Sequence, residues 1–94
     1  YFIVANQTHS DNIEIIKKPI QQGWRELSTA VKDCDALITN QKNIMLTILT
    51  ADCVPILLFD PKREVVSAVH AGWSGTHKKI LYKTVKKMQE IFAC

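Results

Sequence analysis

Cys53 and His70 are the first residues of this 94-residue chain whose types and spacing suggest chemistry. They stand towards the outer ends of two apolar runs, Val54 to Phe59 and Val65 to Ala71, separated by a polar stretch that begins Asp60-Pro61-Lys62-Arg63. Asp60-Pro61 with two charged residues behind it reads as a tight turn, because proline presets φ for the first central position. A connection this short cannot hold the crossover that parallel strands need, so an antiparallel hairpin over residues 53–71 is expected. If Asp60 faces Arg63, Cys53 lies directly opposite His70, with Cβ atoms roughly 4.5–5.5 Å apart on one face. A thiol against an imidazole suits a metal site or a nucleophile with its base. A buried free cysteine beside a core histidine leaves the same pattern. A bulge near Pro55, which donates no ladder hydrogen bond, would send the two side chains to opposite faces.

Two further histidines carry different weight. His9 sits in a polar segment between strand candidates, flanked by Gln7 and Asp11, from which a side chain can reach a site. His77 opens a helix with lysines behind it and reads as a surface residue. His9, Cys53 and His70 together would supply two nitrogens and a sulfur, leaving the fourth position of a tetrahedral zinc open, as in catalytic sites. Spacing alone does not bring His9 to the hairpin.

The elements that would position these residues are mostly short strands. Tyr1 to Ala5 is apolar and β-like. Asn12 to Lys17 alternates, with Ile13 and Ile15 on one face and Glu14 on the other, although Ile16 blurs the pattern. Residues 19–29 read as a loop containing Gly23, with Trp24 as a cover on the core. Ala36 to Thr39 and Ile44 to Leu49 are strands joined by the polar turn Asn40 to Asn43. Val54 to Phe59, six apolar residues bounded by turn chemistry, reads as a buried strand. After the glycine-bearing loop Gly72 to Thr76 comes an amphipathic C-terminal helix. Ile80, Leu81, Val85, Met88, Ile91 and Phe92 fall on one stripe of a 3.6-residue period, and the lysines take much of the remainder as a solvated face. Ser74 or Thr76 can cap it.

Length and composition describe one ordinary globular domain, 47% hydrophobic and 22% charged. The formal charge of +3 is too mild to argue for nucleic acid. No run spans a bilayer and no signal peptide is recognisable, so neither membrane nor export is expected. Three cysteines without CxxC spacing fit a reducing cytosol better than a disulfide framework. The chain opens on Tyr1-Phe2-Ile3-Val4 rather than methionine, which suggests a fragment.

Four stretches carry a resemblance: Gln7-Thr8-His9-Ser10-Asp11-Asn12, Asp35-Ala36-Leu37-Ile38-Thr39, Leu49-Thr50-Ala51-Asp52-Cys53-Val54-Pro55 and Ala68-Val69-His70-Ala71-Gly72-Trp73. They appear in the same order as the motifs of the YfiH family, also called the multicopper polyphenol oxidase (laccase) domain family or the purine nucleoside phosphorylase family. The resemblance spans nearly the whole chain, and members are considerably longer. It therefore implies a single domain over residues 1–94 that is the central part of a longer one. The fold it implies is α/β (α+β), with mixed β-sheets flanked by helices.

The resemblance further implies that His9, Cys53 and His70 are the family's three zinc ligands, one ion in all. It implies purine nucleoside chemistry: phosphorolysis of adenosine, inosine and methylthioadenosine, and deamination of adenosine. A nucleoside and phosphate would be the partners, in the cytoplasm. The family commonly has arginine after Gly-Trp, where this chain has Ser74. If that arginine handles phosphate, Ser74 weakens phosphorolysis unless Lys78 or Lys79 compensates. Three histidines cannot populate a multicopper centre, so copper fits the inventory less well than a single zinc polarising water or a substrate group. Deamination needs a proton shuttle, for which Asp11, Asp35 and Asp52 are candidates, with Asp52 favoured because it adjoins Cys53. Asp52 is equally compatible with capping a strand end. Two other classes stay open: a cysteine hydrolase using a Cys53–His70 dyad, which has no need of His9, and an incomplete, inactive domain that binds metal or a partner.

Overall fold

Short β-branched runs separated by polar turns give this chain six strands and one helix among the residues described by the computed structural model. These are residues 2–5, 7, 12–17, 30–31, 34–48, 54–71 and 75–94, with side chains described for all but 54 and 75–78. The strands are β1 (Phe2–Val4), β2 (Ile13–Ile16), β3 (Ala36–Thr39), β4 (Met45–Thr47), β5 (Val54–Asp60) and β6 (Val65–Ala71), followed by α1 (Gly75–Phe92). A four-stranded sheet has the order β2-β3-β6-β5, and β1 pairs with β4 in a separate two-stranded sheet. The larger sheet is mixed, with β2 parallel to β3 and β6 antiparallel to both β3 and β5. The expected mixed-sheet α+β class, antiparallel hairpin and C-terminal helix are all present.

Alternation along the strands sorts the core into two sides. On one, Ala36, Val69 and Ile80 pack together, as do Ile38, Val65 and Met88, which seats α1 on the sheet. On the other, Leu37 and Ile16 meet Ile3, Ala5 and Val31, with Ile44, Leu46 and Ile48 from the β4 region. Ile16 blurs the alternation of β2 for this reason: the end of that strand is covered on both faces. The helix stripe is narrower than the periodicity suggests. Ile80, Thr84 and Met88 are buried, whereas Val85 and Ile91 are exposed. Thr84 is tolerated there because its hydroxyl donates to the Ile80 carbonyl at 2.7 Å.

Two expectations about the hairpin need correction. Val54 to Phe59 is not a fully buried strand: Leu57 is 79% and Phe59 65% exposed. β5 is the edge of the sheet, so α1 covers Ile56 and Leu58 while the opposite face keeps an open groove. That groove holds about 350 Å³ and runs between Met45, Leu57, Phe59 and Val66.

The register also differs, because Asp60 faces Val65 rather than Arg63, and Pro55 rather than Cys53 faces His70. The physical reason lies in the loop. Asp60 Oδ1 accepts from the backbone N–H groups of Lys62 at 2.9 Å and Arg63 at 3.0 Å. Glu64 then turns the chain with a φ of 54°. Four loop residues, not two, separate the strands. The bond from Arg63 N–H, with that from Lys62, holds the Asp60 carboxyl below the usual carboxylate range.

A left-handed glutamate carries a steric penalty that glycine escapes. Glu64→Gly is therefore expected to raise unfolding stability by roughly 0.5–1 kcal/mol, read as a higher urea midpoint at constant m-value. A lower midpoint would show that the Glu64 side chain contributes more than its backbone costs.

Candidate functional site

His70 sits near the end of β6, which pairs with β3 on one side and β5 on the other. It is 5% exposed. Its side chain points away from α1, since the adjacent Val69 packs on Ile80 and successive strand residues alternate. On the β3 side, Ala36 pairs with Val69. One residue outward, His70 N–H donates to the Asp35 carbonyl at 2.7 Å, and His70 Nδ1 lies 2.6 Å from Asp35 Oδ2. Asp35 is itself only 1% exposed, and its own N–H donates to the Asn12 carbonyl at 3.0 Å. The imidazole is thus tied to one residue through both backbone and side chain, and that residue is anchored to the segment preceding β2.

Such a pair has definite chemical uses. A carboxylate only accepts, so an imidazole facing it donates from Nδ1 and carries its lone pair on Nε2. Metal-ligating histidines characteristically donate their other ring nitrogen to a carboxylate or carbonyl, which fixes the ring and raises its basicity. A histidine acting as general base is oriented in the same way. The His70–Asp35 pair therefore fits a metal-ligating imidazole on the chemistry of the donor.

The sequence offers Asp35 as the head of the motif running to Thr39 and as a candidate proton shuttle, but its pairing with His70 emerges only in the fold. The signal that could have found it is the position of Asp35 immediately before the strand Ala36–Thr39, once that strand is known to pair with β6. The other expected residues are not brought together within the described structure. His9, Asp11, Asp52, Cys53 and Ser74 lie outside the described residues. Lys78 and His77 belong to the first turns of α1, with side chains outside them. Among the described residues no three His, Cys, Asp or Glu side chains cluster as a metal site. Of the two described cysteines, Cys34 is buried with its thiol 3.7 Å from the Val31 carbonyl. Burial, and then the neighbouring Asp60, hold the Cys94 thiol above its ordinary range.

Residues 1–94 match the family model described as multi-copper polyphenol oxidoreductase laccase. The chain belongs to this family. Within the laccase-domain family it is similar to the purine nucleoside phosphorylase YlmD of Bacillus subtilis, with 39% identity over 90 residues. That alignment takes in 95% of this chain and 32% of the relative. Among solved structures it is similar to YlmD from Geobacillus stearothermophilus, with a TM-score of 0.87 and 32% identity over 94% of this chain and 33% of that one. The hypothetical protein YfiH of Bacillus licheniformis gives 0.86 and 36%, over 93% and 33%. The chain spans about a third of the length of the curated relatives it matches. The family match, the relatives and the solved structures thus bear out the resemblance carried by the motifs. Among the described residues no helix is long and apolar enough to cross a membrane.

Proposed function

We propose that this chain carries the zinc-binding part of a cytoplasmic purine nucleoside enzyme. The observation that carries the reading is the buried His70–Asp35 pair, in a chain whose relatives are named purine nucleoside phosphorylases. His9, Cys53 and His70 would hold the ion, which when bound supplies Lewis-acid polarisation of a reacting oxygen. In phosphorolysis of adenosine, inosine or methylthioadenosine, the bond from the purine nitrogen to the ribose carbon breaks. A phosphate oxygen bonds that carbon, and the departing base takes up a proton. In deamination of adenosine, water adds its oxygen to the ring carbon and ammonia leaves. Asp52 is assigned the proton transfers of deamination. Asp35, committed to His70 Nδ1, is better suited to orientation than to shuttling.

One specific observation also favours a second reading. A histidine with a buried carboxyl on Nδ1 is the base-and-orienter half of a nucleophilic triad, and Cys53 would complete it as the nucleophile of a cysteine hydrolase. His9 separates the two, because only the zinc site uses it.

The test is adenosine turnover by the intact protein containing these residues, with and without inorganic phosphate, separating adenine from inosine. Phosphate-dependent adenine or phosphate-independent inosine supports the reading, and neither product overturns it. Ser74 stands where the family commonly has arginine, and removing one charge-assisted phosphate contact costs ~1.5–3 kcal/mol, or roughly ten- to more than a hundred-fold in affinity. Ser74→Arg is accordingly expected to strengthen phosphate-dependent adenine release more than inosine formation, with Lys78 as the neighbouring cation. An unchanged phosphate dependence would remove position 74 from phosphate binding.

A further inference from the structure

Asp35 and His70 are placed as if their mutual geometry mattered more than their contribution to stability. Both are almost wholly buried, at 1% and 5% exposure. Burying such a pair incurs a desolvation penalty that an apolar pair of the same volume would avoid, often with equal or greater stability. The surrounding strands show how readily an apolar solution fits: one residue inward, Ala36 and Val69 are cross-strand partners at 0% exposure. Among the described residues, three close contacts nevertheless hold the polar pair. His70 N–H reaches the Asp35 carbonyl at 2.7 Å, Asp35 N–H reaches the Asn12 carbonyl at 3.0 Å, and the side chains meet at 2.6 Å. With both backbones fixed, the carboxyl has little freedom to leave the imidazole.

We propose that Asp35 is a positioning residue whose Oδ2 holds His70 as the Nδ1–H tautomer, making Nε2 the nitrogen that coordinates or accepts a proton at the site. This deepens the zinc reading and rests on it for what Nε2 faces, while the tautomer itself stands on the contact alone. An amide at position 35 would keep the volume but can turn its NH₂ towards Nδ1. That reverses the preference, puts the proton on Nε2 and blocks the ligating lone pair. Glutamate would keep an acceptor, with the ring displaced.

The test uses the purified protein with ¹⁵N-labelled histidine, at mildly alkaline pH, with the His70 signals assigned from a His70→Gln sample. Long-range ¹H–¹⁵N correlation spectra without metal are expected to show a protonated Nδ1 and a lone pair on Nε2 in the wild type. Asp35→Asn is expected to shift His70 towards the Nε2–H tautomer and to weaken zinc, in chelator competition, by about 10–100-fold. Asp35→Glu is expected to retain the wild-type tautomer. Leu37→Ala serves as the structural comparison: it removes a fully buried side chain from the same strand and should leave the tautomer unchanged. A wild-type Nε2–H tautomer would overturn the proposal even if Asp35→Asn failed to fold. So would an Asp35→Asn spectrum identical to wild type. Should the tautomer behave as expected while the protein binds no zinc, the zinc reading fails and the positioning role stands.

Discussion

On the zinc reading, His70→Gln is expected to deplete the metal and to lower the proposed purine nucleoside turnover by more than about 100-fold, beyond the loss typical of removing a ligand's supporting partner. Glutamine is the informative choice because it fills part of the imidazole volume and can still donate to Asp35. Alanine would leave a carboxyl that is 1% exposed facing a cavity, and the resulting instability would confound the reading. The same measurement on His9→Ala and Cys53→Ser decides the ligand set. If all three residues hold the ion, metal analysis should find each variant depleted to a similar degree. Under the cysteine-hydrolase alternative, His9→Ala would leave both turnover and the alkylation rate of Cys53 almost untouched, whereas His70→Gln would slow alkylation. Wild-type zinc content in His9→Ala would remove His9 from the site, and wild-type content in His70→Gln would end the proposal altogether.

The distinction between what the sequence discloses and what it withholds runs along the hairpin. Asp60-Pro61 announces the turn because its chemistry is local: a proline-set φ and a carboxylate within reach of the next N–H groups. The length of that turn is not announced, since nothing in the residue type of Glu64 declares a left-handed conformation. Two extra residues in the loop were enough to replace Cys53 by Pro55 opposite His70. The shift is by an even number, so the faces assigned along β5 keep their parity, and Leu57 and Phe59 share the face of Ala68 and Val66.

Asp35 illustrates a different limit. A strand inside a sheet has two neighbours, and sequence supports for His70 only the one that follows from a short connection. β3 joins β6 across some thirty residues, and periodicity carries no record of such a pairing. The composition of Ala36 to Thr39 marks a strand, but not its partner. The motif running from Asp35 to Thr39 places Asp35 beside the strand, and the sequence suggests proton shuttling rather than orientation of His70. On the helix, periodicity located Ile80 and Met88 correctly and overextended to Val85 and Ile91; it also passed over Thr84, because hydropathy cannot see that its hydroxyl is satisfied within the preceding turn.

Ile80→Ala is expected to cost about 2–5 kcal/mol of unfolding free energy, the range for truncating a fully buried aliphatic side chain. Ile80 is 0% exposed and packs against Ala36 and Val69, both also at 0%. Ala36 and Val69 are short side chains fixed on paired strands, so they cannot reach into the space that Ile80 leaves. Against a total stability of roughly 5–15 kcal/mol for a small domain, this single change consumes a large share. Ile91→Ala removes the same atoms from a position that is 55% exposed and should change stability by no more than about 0.5 kcal/mol. Urea unfolding of the two variants, compared by midpoint at equal m-value, checks the contrast. Equal losses would mean that α1 is not seated through Ile80. The pair also probes the site, because Ala36 and Val69 immediately adjoin Asp35 and His70 on the two strands that hold them. If the strands are rigid, the His70 tautomer in folded Ile80→Ala should match wild type despite the lost stability. A changed tautomer would show that helix packing, and not the Asp35 contact alone, sets the orientation of the imidazole.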